Sequence, residues 1–332
     1  MVKSSPRDDW RETLFLPVKI RGLFELTRPF TLLAPILGGL SAALISYRVH
    51  YGPIPLPYFS SEFPFFGWGF QQMLPIVWGI MALVLVNAAS NVLNQVHDRK
   101  IDQINKPYRP IPAGIIHKDE ARSMAWLLYL IVLWRASFLN GAFAFFILLL
   151  MLMTIAYSQP PVRLKKRLWV ANASIAVSRG MLGFVAAWCI FDNNPFDDAI
   201  PWLLGSVMAL FVFGTITTKD FGDIKGDAKY GIRTLPVVYG VKTSMNITIP
   251  FFILPFVVMD AFLLKGMLMK EVWWMNLLLA YAIYVAVGFK ELTKAHDAHF
   301  ENSAVWKHMY ILLMAFQMGF CVVYMVFHPG PG

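Results

Sequence analysis

Long apolar runs separated by short charged connections dominate the chain. A membrane-crossing helix needs about 20 mostly apolar residues, and nine stretches meet that measure, near 29–48, 73–95, 121–137, 139–157, 168–191, 200–218, 244–264, 272–290 and 305–327. The third and fourth are nearly continuous and divide only at Ser137 to Gly141, which predicts a tight helical hairpin. The pattern predicts an all-α polytopic membrane protein, with an N-terminal segment over 1–28 and one nine-helix domain over 29–327. In the first segment Trp10, Leu14, Phe15, Val18 and Phe24 interleave with Arg11, Lys19 and Arg21, as in a helix lying on the bilayer surface. No cleavable leader pattern is evident there. The stretch 49–72, rich in Pro, Phe, Tyr and Trp, reads as an aromatic cap at the interface.

Composition agrees with this pattern. Hydrophobic residues make up 57% of the 332 and charged residues only 15%, against about 25% charged in an ordinary soluble domain, so a water-soluble globule is excluded. Cys189 and Cys321 both lie inside apolar runs and are expected to be buried free thiols. The net charge of +9 would suit nucleic acid, but its distribution points to topology instead. Alternate connections carry six, six, four, five and two Lys or Arg, over 1–28, 96–122, 158–168, 219–243 and 290–304, whereas the opposite set holds only Lys265 and Lys270. By the positive-inside rule the N-terminus and the basic loops are cytoplasmic, and no nucleic acid is implied.

The candidate chemistry sits at the cytoplasmic ends of the second and sixth spans, where carboxylates near hydrocarbon are costly and tend to mark function. Asn94, Asp98 and Asp102 are spaced by four and share a helix face, and Asn87 and Asn91 extend that stripe inward. Asp220, Asp223 and Asp227, at i, i+3 and i+7, form a second acidic face. Two such faces converging on one side of a bundle suit a hard cation such as Mg²⁺, which takes carboxylates together with phosphate oxygens. Neutralisation of nearby basic loops would account for one such aspartate more readily than for two matched clusters. Between them lies Tyr157-Ser-Gln-Pro-Pro-Val-Arg163-Leu-Lys165-Lys166-Arg167, whose cations either clamp an anionic leaving group or merely follow the topology rule. Lys106, Arg109, Arg99, Lys219 and Arg233 carry the same two readings.

These motifs resemble the UbiA superfamily of intramembrane prenyltransferases. Asn94-x3-Asp98-x3-Asp102 is similar to the family's first Asp-rich motif, Asp223-x3-Asp227 to its second, and the Tyr157 stretch to its tyrosine and lysine motif. Leu26-Thr-Arg28-Pro29 at the first span is also similar. The resemblance implies nine helices around a lipid-accessible cavity, Mg²⁺ held by Asp98, Asp102, Asp223 and Asp227 with Asn94 beside them, and diphosphate held by Arg163 and Lys165. Asp220 joins the expected metal set. Tyr157, Lys219, Arg109, Arg28, Asn91 and Arg179 complete the expected substrate-binding set. The implied reaction is transfer of a prenyl group, with geranylgeranyl diphosphate as the favoured donor, to a lipophilic or aromatic acceptor within the membrane. Asn105-Lys-Pro107-Tyr-Arg109-Pro110-Ile-Pro112 and Arg233-Thr-Leu-Pro236 look like the chlorophyll synthase and archaeal ether-lipid branches, while Leu93-Asn94-Gln95 and Ser178-Arg179-Gly180 look like the homogentisate branch.

Two rivals stand beside transfer. One is a terpene cyclase acting on the donor alone. The other is a transporter or flippase, against which the concentration of polar residues at cytoplasmic helix ends argues. Arg179, within the fifth span, reads equally as a structural hydrogen-bonding group or as an acceptor contact. His97, His296 and His299 read as solvated, and Asp260 as snorkelling toward the outer surface.

Overall fold

The computed structural model describes residues 18–53, 68–294 and 303–329. Trp10, Leu14, Phe15, His296 and His299, and most of the expected aromatic cap, lie outside the described residues. The described part of the N-terminal segment does form a helix, α1 (Val18–Leu26), and a short 3₁₀ turn, Pro29–Leu32, leads into α2 (Leu33–Tyr51). The remaining elements are α3 (Trp68–Asn105), α4 (Lys118–Ala136), α5 (Gly141–Ser158), α6 (Leu168–Trp188), α7 (Ile200–Gly222), α8 (Ile224–Lys229), α9 (Leu235–Leu264), α10 (Lys270–Leu292) and α11 (Ala304–Phe327). Among the described residues there is no β-strand, only an isolated bridge between Arg167 and Arg233 that ties two basic loops together.

Local signals explain the helix starts. Asn140 accepts the Phe143 amide at 2.8 Å and Ser303 that of Trp306 at 3.1 Å, each satisfying one of the orphan donors of a first turn. At α4, Glu120 reaches back to the His117 amide at 3.0 Å. The α4–α5 hairpin therefore turns where the sequence breaks, between Ala136 and Gly141.

Eight of these helices are long and apolar enough to cross a membrane. The expected third span forms as α4 but is not among the eight, because Lys118, Asp119, Glu120 and Arg122 crowd its first turns and Arg135 its last. Arg135 is nonetheless buried against α3. Its guanidinium donates to the Trp78 carbonyl at 2.9 Å and lies 3.7 Å from the centroid of the Trp78 ring, while the Trp78 indole donates to the Arg135 carbonyl at 2.9 Å. That reciprocal lock gives a charge in an apolar helix a neutral carbonyl and a ring face as partners. Asp260 accepts a hydrogen bond from Asn276 at 2.8 Å, linking α9 to α10.

Aromatic and branched side chains, among them Tyr129, Phe143, Trp188, Phe211, Phe256 and Phe316, fill the space between the helices. Cys189 and Cys321 are free and buried there, as expected. The middle of α6, Ala176–Leu182, is a π-helix, a widened turn that often marks a functional position. Within it, Gly180 lets α6 touch α7, because a Cβ at this position would meet the backbone Cα, and at 2.6 Å the backbone N, of Ala209. Gly180→Val should therefore force these helices apart, and overpacking of this kind costs about 1–3 kcal/mol; a lowered melting midpoint in detergent is the expected reading.

Candidate active site

The C-terminal end of α3 carries Asp98 and Asp102, about two and three turns beyond Asn91, and the end of α7 continues through a 3₁₀ turn into Asp223 and α8. These two chain segments are stitched together. Asn105, in the last turn of α3, donates to the Asp223 carbonyl at 2.8 Å and accepts the Gly226 amide at 2.8 Å. Gly226 is required for that approach, since a Cβ there would stand 2.5 Å from the Asn105 amide nitrogen. Lys106 adds a charge-assisted contact, its ammonium 2.9 Å from one Asp223 oxygen and 2.8 Å from the other.

The loop after α5 closes the third side. Arg163 donates to Asp98 at 3.0 Å, and the Lys165 ammonium bonds the other oxygen of the same carboxylate while lying 4.0 Å from Asp227. Arg163 holds a left-handed backbone with φ of 36°, a sparsely populated conformation for a residue with a Cβ. Arg109 donates to Asp102 at 2.7 Å, and Lys219 donates to the Tyr157 hydroxyl at 3.2 Å. Asp220 is buried next to Lys219 in the sequence.

The cations whose roles the sequence left open thus divide. Lys106, Arg109, Arg163, Lys165 and Lys219 turn inward onto carboxylates or Tyr157, whereas Arg99, Lys166, Arg167 and Arg233 are exposed. Burial alone would pull the Lys165 ammonium below its ordinary range, but Asp98, Asp227 and Tyr157 hold it raised and protonated. Asp227 is pushed up to about 7 by burial and by the neighbouring Asp220, Asp223 and Asp98, with Lys165 opposing.

The expected six-residue metal set is not preassembled: among the described residues no three His, Cys, Asp or Glu side chains stand together as a metal cage. Each carboxylate of the first motif is held by a cation instead, and the second motif is anchored through Lys106 and Asn105. Asp102 Oδ2, Asp223 Oδ1 and Asp227 Oδ1 are buried without a hydrogen-bond partner. Asp223 Oδ1 keeps its close ion pair with Lys106, so the other two are left over, which is the acceptor state a bound cation satisfies.

Beside this cluster opens a cavity of about 510 Å³, walled by Arg28, Asn91, Asn94, Arg109, Tyr157 and Lys219 among others. The aspartates themselves are covered by their cations and do not line it. A narrower chamber of about 110 Å³ continues inward between α2, α3, α5, α6, α7 and α11, lined mainly by apolar residues such as Leu83, Val86, Phe184, Phe211 and Leu313. Thr31, Thr154, Ser178, Arg179, Lys219, Trp306 and Tyr310 line both, so one space runs from a basic mouth to an apolar interior.

Arg179 projects from the π-helix of α6 into that space and donates to Asn91 at 3.3 Å, while Asn91 is fixed by its own bonds to the Thr27 carbonyl and the Thr31 hydroxyl. Asn105, Trp306 and Tyr310 were not singled out from sequence. Asn105 had a usable signal, since it opens the Asn-Lys-Pro run directly after the first acidic face, whereas Trp306 and Tyr310 look like any other aromatics of a spanning helix.

The sequence profile of the UbiA prenyltransferase family matches residues 58–324. The chain belongs to that family. Similar members of known name include the bacteriochlorophyll synthase 34 kDa chain of Chloroflexus aurantiacus, 30% identical over 220 residues that cover 65% of this chain and 63% of that one. Chlorophyll synthase of Arabidopsis thaliana is 29% identical over 233 residues, 68% of this chain and 55% of the relative. Digeranylgeranylglyceryl phosphate synthase of Methanobrevibacter smithii is 32% identical over 189 residues, 54% and 64%. The chain thus spans less than two thirds of the length of these curated relatives. In fold it is similar to a UbiA homologue from Archaeoglobus fulgidus solved with GPP and Mg²⁺, with a TM-score of 0.65 at 16% identity over 92% of this chain and 99% of that one.

For this UbiA-family site, Asn105→Ala removes the two bonds that Asn105 makes to the second acidic motif and leaves the Lys106 contact. A buried hydrogen bond left half-made costs about 1–3 kcal/mol, so the variant should melt earlier, with faster amide exchange confined to 223–227.

Proposed function

We propose that the protein transfers a prenyl group from a prenyl diphosphate to a lipophilic or aromatic acceptor inside the membrane. The observation that carries this reading is the meeting of the two acidic helix ends, bridged by Lys165, Lys106 and Asn105, at the mouth of a chamber with an apolar interior. A diphosphate head and a hydrocarbon tail match that gradient. Relatives named for chlorophyll and digeranylgeranylglyceryl phosphate synthesis, and UbiA homologues solved with GPP or DMAPP and Mg²⁺, support it.

Asp98, Asp102, Asp223 and Asp227, with Asn94 and Asp220 beside them, fit a hard divalent cation, since two buried carboxylate oxygens lack partners. Bound there, Mg²⁺ would supply the positive charge that stabilises a departing diphosphate. The shortage of preassembled ligands agrees with the habit of Mg²⁺ of drawing several ligands from substrate phosphate.

The chain's own groups do the rest. Lys165 and Arg163, now bonded to Asp98, are positioned to exchange that carboxylate for diphosphate oxygens, and Lys219 is aimed by Tyr157 at the junction of mouth and chamber. As the allylic C–O bond breaks, the electron pair leaves with the diphosphate, and these ammonium and guanidinium groups hold it. The acceptor's electron-rich atom takes the prenyl carbon and loses its proton. Apolar walls such as Phe184, Phe211 and Leu313 exclude the water that would otherwise capture the cation. The cluster of polar residues at one end of the bundle, with an apolar interior beyond it, argues against a conduit for transport.

Three outcomes test this. Asp98→Ala and Asp223→Ala should each abolish Mg²⁺-dependent diphosphate release while leaving a folded protein in detergent, and full activity in either variant overturns the assignment. Mass spectrometry of lipid products should show prenylated acceptor, whereas a cyclised hydrocarbon from donor alone would replace transfer by cyclisation. Because Asp227 is raised to about 7, it carries a proton below that pH and must lose it to receive a cation; apparent Mg²⁺ affinity should fall as pH drops from 8 to 6, most steeply below 7.

A further inference from the structure

Three helices give the chamber a depth axis. On α11, Trp306 and Tyr310 line both mouth and chamber, whereas Leu313 and Gln317 line the chamber alone. On α2, Thr31 lines both, and Pro35, Gly38 and Gly39 only the chamber. On α3, Asn91 and Asn94 face the mouth, while Leu83, Val86 and Asn87 face the interior. All three therefore descend to one floor, at Gly38, Gly39, Leu83 and Gln317. Seven residues separate Tyr310 from Gln317, so the floor lies about 10 Å below the junction.

That floor has an unusual composition for an apolar pocket. Gln317 is only 8% exposed, and its Oε1 is buried without a hydrogen-bond partner. Its backbone is pinned, because the Ser41 hydroxyl donates to the Gln317 carbonyl at 2.6 Å and fixes α11 against α2. The amide fits only because residue 38 has no side chain: a Cβ there would touch the amide nitrogen and stand 2.9 Å from the amide carbon. Gly39 is similarly tight, its Cβ position 3.2 Å from the Leu83 Cδ1. An unsatisfied buried amide is retained at a cost, and a hydrocarbon terminus pressed against it would satisfy nothing and block any water from doing so.

We infer that the Gly38–Gln317 pair is a polar stop that sets the length of prenyl tail the chamber accepts. The inference rests on the prenyl-transfer reading and deepens it by naming a specificity-determining pair remote from the diphosphate cluster. Replacing Gly38 by Ala pushes the amide toward the lumen and shortens the chamber; replacing Gln317 by Ala removes the stop and lengthens it. Gln317→Leu keeps the bulk but removes the polarity.

The test uses the full-length protein in detergent with Mg²⁺, titrated calorimetrically with geranyl, farnesyl and geranylgeranyl diphosphate, so no acceptor is needed. The readout is the ratio of affinities for the longest and shortest donors. It should fall about tenfold in Gly38→Ala and rise about tenfold in Gln317→Ala, the size expected for a missing or added hydrocarbon contact in a pocket. Gln317→Leu should raise it by less. Should Gly38→Ala not fold, the two Gln317 variants decide the matter. An unchanged ratio in folded Gln317→Ala overturns the length stop while leaving prenyl transfer intact, and absence of Mg²⁺-dependent binding of every donor to the wild type overturns the prenyl-transfer reading itself.

Discussion

Compensation of buried charge is the constraint on which the rest of this molecule depends. Asp98 and Asp102 at the end of α3, and Asp227 in the short α8, are almost wholly buried, and an unpaired carboxylate so placed costs several kcal/mol. Lys165 bonds Asp98 and faces Asp227, Arg109 bonds Asp102, and Lys106 bonds Asp223. Those pairs bring three separate chain segments to one place. They also leave Asp102 Oδ2 and Asp227 Oδ1 without partners, so the network is satisfied enough to fold and incomplete enough to receive charged ligands.

The same constraint shapes the membrane-embedded part. Arg135 survives within an apolar helix because Trp78 offers it both a carbonyl and a ring face. Arg179 survives because the π-helix of α6 directs it into the chamber rather than toward lipid, with Asn91 as its anchor. Gln317, a polar group lining the chamber, stands where Gly38 on the facing helix makes room. Charge at the mouth, apolar walls beyond it and a single amide at the floor make one continuous gradient of polarity, which suits an amphipathic ligand bound head outward.

Much of this was legible in the sequence. Hydrophobic runs located the helices, since burying a backbone in lipid leaves little choice but a helix. The spacing of Asp98 and Asp102, and of Asp223 and Asp227, marks both acidic motifs in the sequence, because carboxylates at helical period near hydrocarbon are rarely incidental. Helix α4, expected as a span over 121–137, is kept out of the eight most apolar helices by its charged ends, yet Arg135 and Trp78 lock it to α3. The bond from Asn276 to Asp260 was not legible, because the two residues lie on different helices and side-chain partners across a bundle leave no trace in local pattern.

The sequence by itself determined that the protein is helical, that it is built for a membrane, and that two acidic motifs stand among its basic connections. Those properties follow from periodicity and composition, which are local. Which cations turn inward, how Asn105 clasps Gly226, and that Gln317 and Gly38 meet at the bottom of the chamber were decided only by the tertiary structure. Each depends on distances between residues far apart in the chain, and the packing of whole helices, not the order of residues along any one of them, determines those distances.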